Sequence, residues 1–144
     1  CIVLEEVCEG EGIGRVGFLK HDMSVKELCS MVKEQFSLDK VALYGNEDEI
    51  VKKVAICPGS GKDEIELALL KGAKAIITGD VSYHYGIDSV AKGINVIDAG
   101  HYGIEHIFID KINSYLIENT KDIEVVKMDL DNPQKYILWV KWYY

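Results

Sequence analysis

The chain has 144 residues, 48% of them hydrophobic, enough for one domain with a real core and too few for two ordinary ones. Its formal net charge of −8 has the wrong sign for tracking nucleic-acid phosphates, and no dense Lys/Arg stripe interrupts it, so nucleic acid is an unlikely class of partner. No apolar run approaches the roughly 18 residues of a membrane span, and the N-terminus lacks the basic start and apolar segment of a secretory signal, so the expected location is the cytoplasm, with no membrane partner.

The expected architecture is α/β, a mostly parallel sheet with flanking helices in one domain over residues 1–144. Early in the chain, Arg15 to Leu19 and Lys40 to Tyr44 read as strands on either side of a helix from Val25 to Phe36. Ser24 as N-cap with Glu27 three residues on is a capping box, and Leu28, Met31, Val32 and Phe36 fall on the inward face. Val54 to Cys57, Ala75 to Thr78 and Asn95 to Asp98 are short runs rich in β-branched and other apolar residues, bounded by Gly, Pro or Asp, as buried parallel strands are. Helical stretches follow each of them: Lys62 to Lys71, Tyr85 to Lys92, and His101 to Leu116 with Ile104, Ile107, Phe108, Ile112 and Leu116 as an apolar stripe. Ile56, Ile76, Ile77, Val96 and Ile97 are the expected core, with Ala73 and Ala75 packed closely. Ile123 to Met128 alternates as a strand, and Tyr136 to Tyr144 is an aromatic tail.

Two glycine patterns fail their context tests. Gly12, Gly14 and Gly17 fit a bare GxGxxG, but a strand follows where a dinucleotide fold requires a helix, so a loop with φ > 0 or a close backbone approach is the better reading. Cys57 to Lys62 runs from strand to helix and ends in Gly-Lys, yet Ile56 stands where a phosphate loop has its first glycine and Asp63 replaces the magnesium-binding Ser or Thr. An anion site or a tight turn both remain open for Gly59 to Gly61. Cys1, Cys8, Cys29 and Cys57 contain no Cys-x-x-Cys pair and are expected as free thiols. Cys1 in place of a start methionine points to a fragment or a processed form.

The segment Asp98 to Glu105 carries the chemistry. A strand ends at Asp98, and a helix starting at or just before His101 places His101 and Glu105 at i and i+4 on one face, an imidazole and a carboxylate of the types that zinc, iron and manganese accept. Two ligands do not close such a site. Asp80 and His84 follow the preceding strand, and residues just past the carboxyl ends of parallel strands line the crevice where ligands bind. For Asp80 alone a helix N-cap is the competing reading, and for His84 alone a hydrogen-bonded structural imidazole. Together with His101 and Glu105 they point to a metal or catalytic site, whereas His21 and His106 read as surface histidines.

The residues TGDVSYH and INVIDAGHYGIEH resemble the NIF-three-like family, also labelled GTP cyclohydrolase type 2 homologues. The segments GEGIGRVG and VAICPGSG and the aspartate-rich end from Asp129 to Pro133 fit the same family, so the likeness runs from about Glu9 to Tyr136. The resemblance implies two similar α/β halves around a dinuclear divalent-metal centre, assembled into ring-shaped hexamers, with His101 and Glu105 as metal ligands from the C-terminal half and Asp80 and His84 close by as catalytic candidates. The family's N-terminal half has no counterpart here, so the chain resembles the C-terminal half alone and is expected to hold metal weakly, to lack activity by itself, and to self-associate partly through Trp139 to Tyr144. The function this implies is one half of a metal-dependent hydrolase of unidentified substrate. The alternative is a non-catalytic protein-interaction or metal-handling module, since the family's name comes from a protein partner.

Overall fold

Six strands form one sheet in the order β1-β2-β4-β5-β6-β3, in a computed structural model that describes residues 1–128 and 130–137. Contacts divide the chain into two compact units, Cys1–Ile107 and Phe108–Tyr144. The first unit runs β1 (Ile2–Cys8), β2 (Glu11–Ser24), α1 (Val25–Gln35), β3 (Ala42–Tyr44), β4 (Ile50–Ile56), α2 (Glu64–Leu70), β5 (Ala75–Thr78), α3 (Tyr83–Lys92), β6 (Asn95–Asp98) and α4 (His101–Glu105). The second begins with α5 (Phe108–Asn119). Among the described residues no helix is long and apolar enough to cross a membrane.

Strand alternation sorts the core into two layers. Ala55, Ile76 and Val96 stand abreast on β4, β5 and β6 and face one side, where Ile65 and Ala68 of α2 cover them. Ile56, Ile77 and Ile97, one residue on, face the other side, against Val25, Leu28 and Val32 of α1 and Ile104 of α4. Helices therefore cover both faces, which is why these strands are continuous apolar runs. Ile76, Ile77, Val96, Ile97, Ala73 and Ala75 are buried as expected, while Ile56 is only partly so.

The α/β class holds, but the sheet is mixed. Only β4/β5 and β5/β6 are parallel, the pairs joined by α2 and α3 as βαβ units; β1/β2, β2/β4 and β3/β6 are antiparallel. Pairing direction depends on which strands meet across the sheet, and the local apolar pattern is blind to it. The glycine-rich segment belongs to the β1–β2 hairpin: Gly14 is left-handed at φ 64°, and Gly12 leaves no room for a side chain against the Glu5 carbonyl. Both halves of the glycine reading, positive φ and close approach, are met at these two positions.

Two other expectations are corrected. His101 to Leu116 is not one helix, because α4 ends at Glu105 and α5 starts at Phe108. The His106 ring stacks on Tyr102 at 5.2 Å and its Nδ1 lies 3.1 Å from the Gly103 carbonyl, a group that would otherwise take the next rung of the helix ladder. His106 is at the surface only in part, its ring engaged by these contacts. Ile123 to Met128 forms no strand; Ile123, Val126 and Met128 are exposed, with no pairing strand beside them among the described residues. Asp129 and the tail residues 138–144, including Trp139 to Tyr144, lie outside the described residues.

The capping box at α1 is present in full. The Glu27 N–H donates to Ser24 Oγ at 3.2 Å, and the Ser24 N–H donates to Glu27 Oε2 at 2.7 Å. Ser24→Ala is expected to cost about 1 kcal/mol in urea denaturation. Donation from the Ser24 backbone, then from its hydroxyl, holds the Glu27 carboxyl below its ordinary value. A depressed carboxyl contributes stability above the unfolded-state value of 4.5 and loses it as pH falls through the lower folded value. Glu27→Gln should accordingly be less stable than the parent at neutral pH, the difference closing as pH falls through the folded value; equal acid sensitivity in both proteins would count against this.

Candidate metal centre

Two parallel strands end side by side and present their following turns to the same edge. From β5 the chain runs through Thr78, Gly79 and Asp80; from β6 it runs through Asp98, Ala99 and Gly100 into α4. The Ala99 N–H donates to the Thr78 carbonyl at 2.8 Å, and a Cβ on Gly79 would lie 2.7 Å from the His101 nitrogen, so the two backbones touch. A third segment, Pro58 to Gly61 after β4, is fastened to the same corner: Thr78 Oγ1 accepts from the Gly61 N–H at 2.9 Å and donates to the Gly59 carbonyl at 3.2 Å. The Gly79 N–H donates to that carbonyl at 2.8 Å as well. This loop is a turn bound into the fold, with the Gly61 N–H and the Gly59 carbonyl both engaged by Thr78.

His101 opens α4, and the four-residue step to Glu105 brings their side chains together as the helix spacing requires: His101 Nε2 lies 3.2 Å from Glu105 Oε2. On the opposite side of the ring, Nδ1 lies 3.1 Å from Asp80 Oδ2. Asp80 is therefore not an N-cap, a place taken by Ser82 ahead of α3, but the carboxylate that holds the His101 imidazole. All three side chains are about half exposed. Gly59 closes the arrangement from the third segment: it is left-handed at φ 68°, and a Cβ there would lie 2.7 Å from Glu105 Oε1 and 3.5 Å from His101 Nε2.

A neutral imidazole carries one N–H. His101 Nε2 and Glu105 Oε2 lie 3.2 Å apart, a separation at which the two share a proton or serve together as donors to one cation. For the second case Asp80, on Nδ1, is placed where a carboxylate orienting a metal-binding histidine would stand. The donor set fits a divalent ion but does not enclose one: among the described residues no three His, Cys, Asp or Glu side chains converge as a metal-binding group.

His84 is placed differently. It sits exposed on the first turn of α3 with its ring edge to Tyr83, 6.0 Å between centroids, and makes no hydrogen bond or ion pair among the described residues. Sequence reasoning found His101, Glu105 and Asp80, singled out Gly59 only as part of a turn or anion loop, and passed over Thr78. Thr78 was readable as the polar end of an apolar strand, and its complete burial shows that its hydroxyl serves the loop rather than solvent. Next to Gly59 and Glu105, Pro58 and Ile104 help line an apolar cavity of about 490 Å³ together with Ile13, Phe36, Ile56 and Arg15.

Cys57, under the same loop, is buried, and that burial, with smaller contributions from the Glu64 and Glu5 charges, pushes its thiol up to about 11. Thiol labelling of the native chain at about pH 8 should modify exposed Cys1 and Cys8 quickly and leave Cys57 unmodified until unfolding. Rapid native labelling of Cys57 would show that the loop opens.

With fold and site described, comparison with known proteins places the chain: it belongs to the family described as Duf34/NIF3 (NGG1p interacting factor 3), whose model matches residues 3–133. It is 48% identical over 94 residues to a Clostridium acetobutylicum protein named GTP cyclohydrolase 1 type 2 homolog, a match covering 65% of this chain and 35% of the relative. A Bacillus subtilis protein of the same name is 40% identical over 99 residues, covering 69% of this chain and 26% of the relative. Among solved structures, a Staphylococcus aureus hypothetical protein matches with a TM-score of 0.80 at 25% identity, over 88% of this chain and 43% of that one. A Bacillus cereus protein related to NIF3 matches with a TM-score of 0.76 at 25% identity, over 88% of this chain and 36% of that one. The matches thus span between about a quarter and a half of the length of the curated relatives.

Proposed function

We propose that this chain supplies two ligands, His101 and Glu105, to a divalent-metal centre of zinc, iron or manganese in a metal-dependent hydrolase of the Duf34/NIF3 family. The observation that carries the reading is the placement of His101 Nε2 and Glu105 Oε2 3.2 Å apart while the Asp80 carboxylate faces the other ring nitrogen. When bound, a divalent ion of this kind polarises substrate oxygen and activates water for attack, on a phosphoester, a cyclic amide or a related polar substrate. His101 and Glu105 would hold it, Asp80 would keep the imidazole in its Nδ1–H form, and the Gly59 turn would press the Glu105 carboxylate toward the ring. His84, on the same sheet edge, is the candidate for moving a proton to the leaving group. The apolar cavity beside Pro58 and Ile104 offers room for the body of a substrate.

Two ligands bind loosely, so the remaining ones come from outside this chain, from the longer part of the relatives or from a second copy, in a centre that holds two ions when complete. Zinc titration followed by calorimetry tests the assignment. The unsubstituted chain should bind zinc weakly, and His101→Ala should abolish that binding; an unchanged stoichiometry in the variant would overturn the reading. Turnover of phosphoesters and nucleotides with added zinc or manganese should be absent in this chain and present in a full-length relative.

A further inference from the structure

One carboxylate that plays no part in the ligand set ties together both turns that build the site. Asp98, the last residue of β6, accepts three backbone hydrogen bonds: its Oδ1 from the Asp80 N–H at 3.0 Å and from the Gly100 N–H at 2.9 Å, its Oδ2 from the Val81 N–H at 2.8 Å. Two of these donors belong to the turn after β5 and the third to the turn that starts α4. Both turns need holding. Asp80 is in the left-handed region at φ 56°, which a residue with a side chain adopts only against a cost of about 1 kcal/mol or more, and Gly100 is left-handed at φ 72°. Hydrogen bonds to an ionised acceptor are the stronger kind, and three of them on one group outweigh that cost.

We propose that Asp98 is a positioning residue for the metal pair: by fixing the backbone of Asp80 and the start of α4 against each other, it sets the Asp80 carboxylate on His101 Nδ1 and so leaves Nε2 directed at Glu105. The inference rests on the metal reading above for its consequence but not for its geometry. A merely structural anchor would lower stability and leave the imidazole alone; a positioning residue changes which nitrogen carries the proton.

The test uses the 144-residue chain in two assays, with His101→Ala supplying the assignment of the His101 ring signals. In the metal-free chain, nitrogen-15 correlation spectra should show His101 as the Nδ1–H tautomer, and Asp98→Asn should move it toward the commoner Nε2–H form. Zinc affinity should fall about tenfold in Asp98→Asn, as it does when groups behind a ligand are altered, and by less than about twofold further when the same change is made on an Asp80→Asn background. Unchanged ring shifts and zinc affinity in folded Asp98→Asn would overturn the proposal, and so would a full tenfold loss on the Asp80→Asn background. Should Asp98→Asn not fold, amide exchange in the unsubstituted chain decides: the Asp80, Val81 and Gly100 amides should be protected although they lie outside regular structure, and exchange at unfolded-peptide rates would refute the anchoring. If His101→Ala leaves zinc binding intact, the metal reading fails, while the ring spectra still judge Asp98.

Discussion

Gly59→Ala is expected to lose zinc binding almost as fully as removal of Glu105 itself, with only a small loss of stability. The left-handed backbone at φ 68° sets the stability cost, about 1–2 kcal/mol for a residue with a Cβ, or a shift of about 5 °C per kcal/mol in melting temperature. The effect on the site is larger because the added carbon would lie 2.7 Å from Glu105 Oε1, and the carboxylate, at the end of a flexible side chain, is the partner that yields. Yielding takes it away from His101 Nε2. At least about a tenfold fall in zinc affinity is expected, against a modest change in melting temperature. If calorimetry gave wild-type affinity for Gly59→Ala, the turn after β4 would not be what places Glu105.

The largest stability effect should come from Ile76→Ala. Ile76 is fully buried in β5, between Ala55 of β4 and Val96 of β6, so truncation leaves a void that no neighbour can fill by moving toward solvent. Such a change costs about 2–5 kcal/mol, a large share of the roughly 5–15 kcal/mol that holds a domain of this size. Urea denaturation should place the midpoint far below that of the parent, or show an unfolded population without denaturant. Ile87→Ala on α3, where the side chain is 45% exposed, should stay within about 0.5 kcal/mol and serves as the control. Comparable losses in both variants would mean that the central strand is not the core.

The parts of this architecture that were legible beforehand are those whose causes are local. β5 starts and stops where its apolar run meets Lys74 and Gly79, β6 ends at Asp98, and the Ser24–Glu27 box marks the start of α1 to the residue. His101 and Glu105 meet because a helix brings i and i+4 together, whatever surrounds it. Features with distant causes escaped. β1 was invisible because Glu5 and Glu6 interrupt its apolar pattern and only Leu4 is buried along it, its pairing being supplied by β2. The direction of the β2/β4 and β3/β6 pairs and the convergence of Asp80, Val81 and Gly100 on Asp98 depend on which strands and turns the sheet sets side by side. No window of sequence contains that information. The break after Glu105 belongs to the same group, since the apolar stripe continues through it while the His106 ring engages the Tyr102 and Gly103 carbonyls.

The sheet order also fixes when, along a growing chain, the site can exist. β3 is made before β4, yet its three residues, Ala42, Leu43 and Tyr44, pair with Asp98, Ile97 and Val96 at the far edge. Everything between must emerge and be laid down first, so β3 waits unpaired while β4, α2, β5 and α3 assemble, and it closes a loop of some fifty residues only when β6 arrives. The strand that completes this sheet is also the one that delivers Asp98 and leads into His101. A ribosome-bound chain stopped short of β6 has an open β5 edge and carries Asp80 and the Gly59 turn without Asp98 or His101, so the candidate site is completed only by the strand that also receives β3.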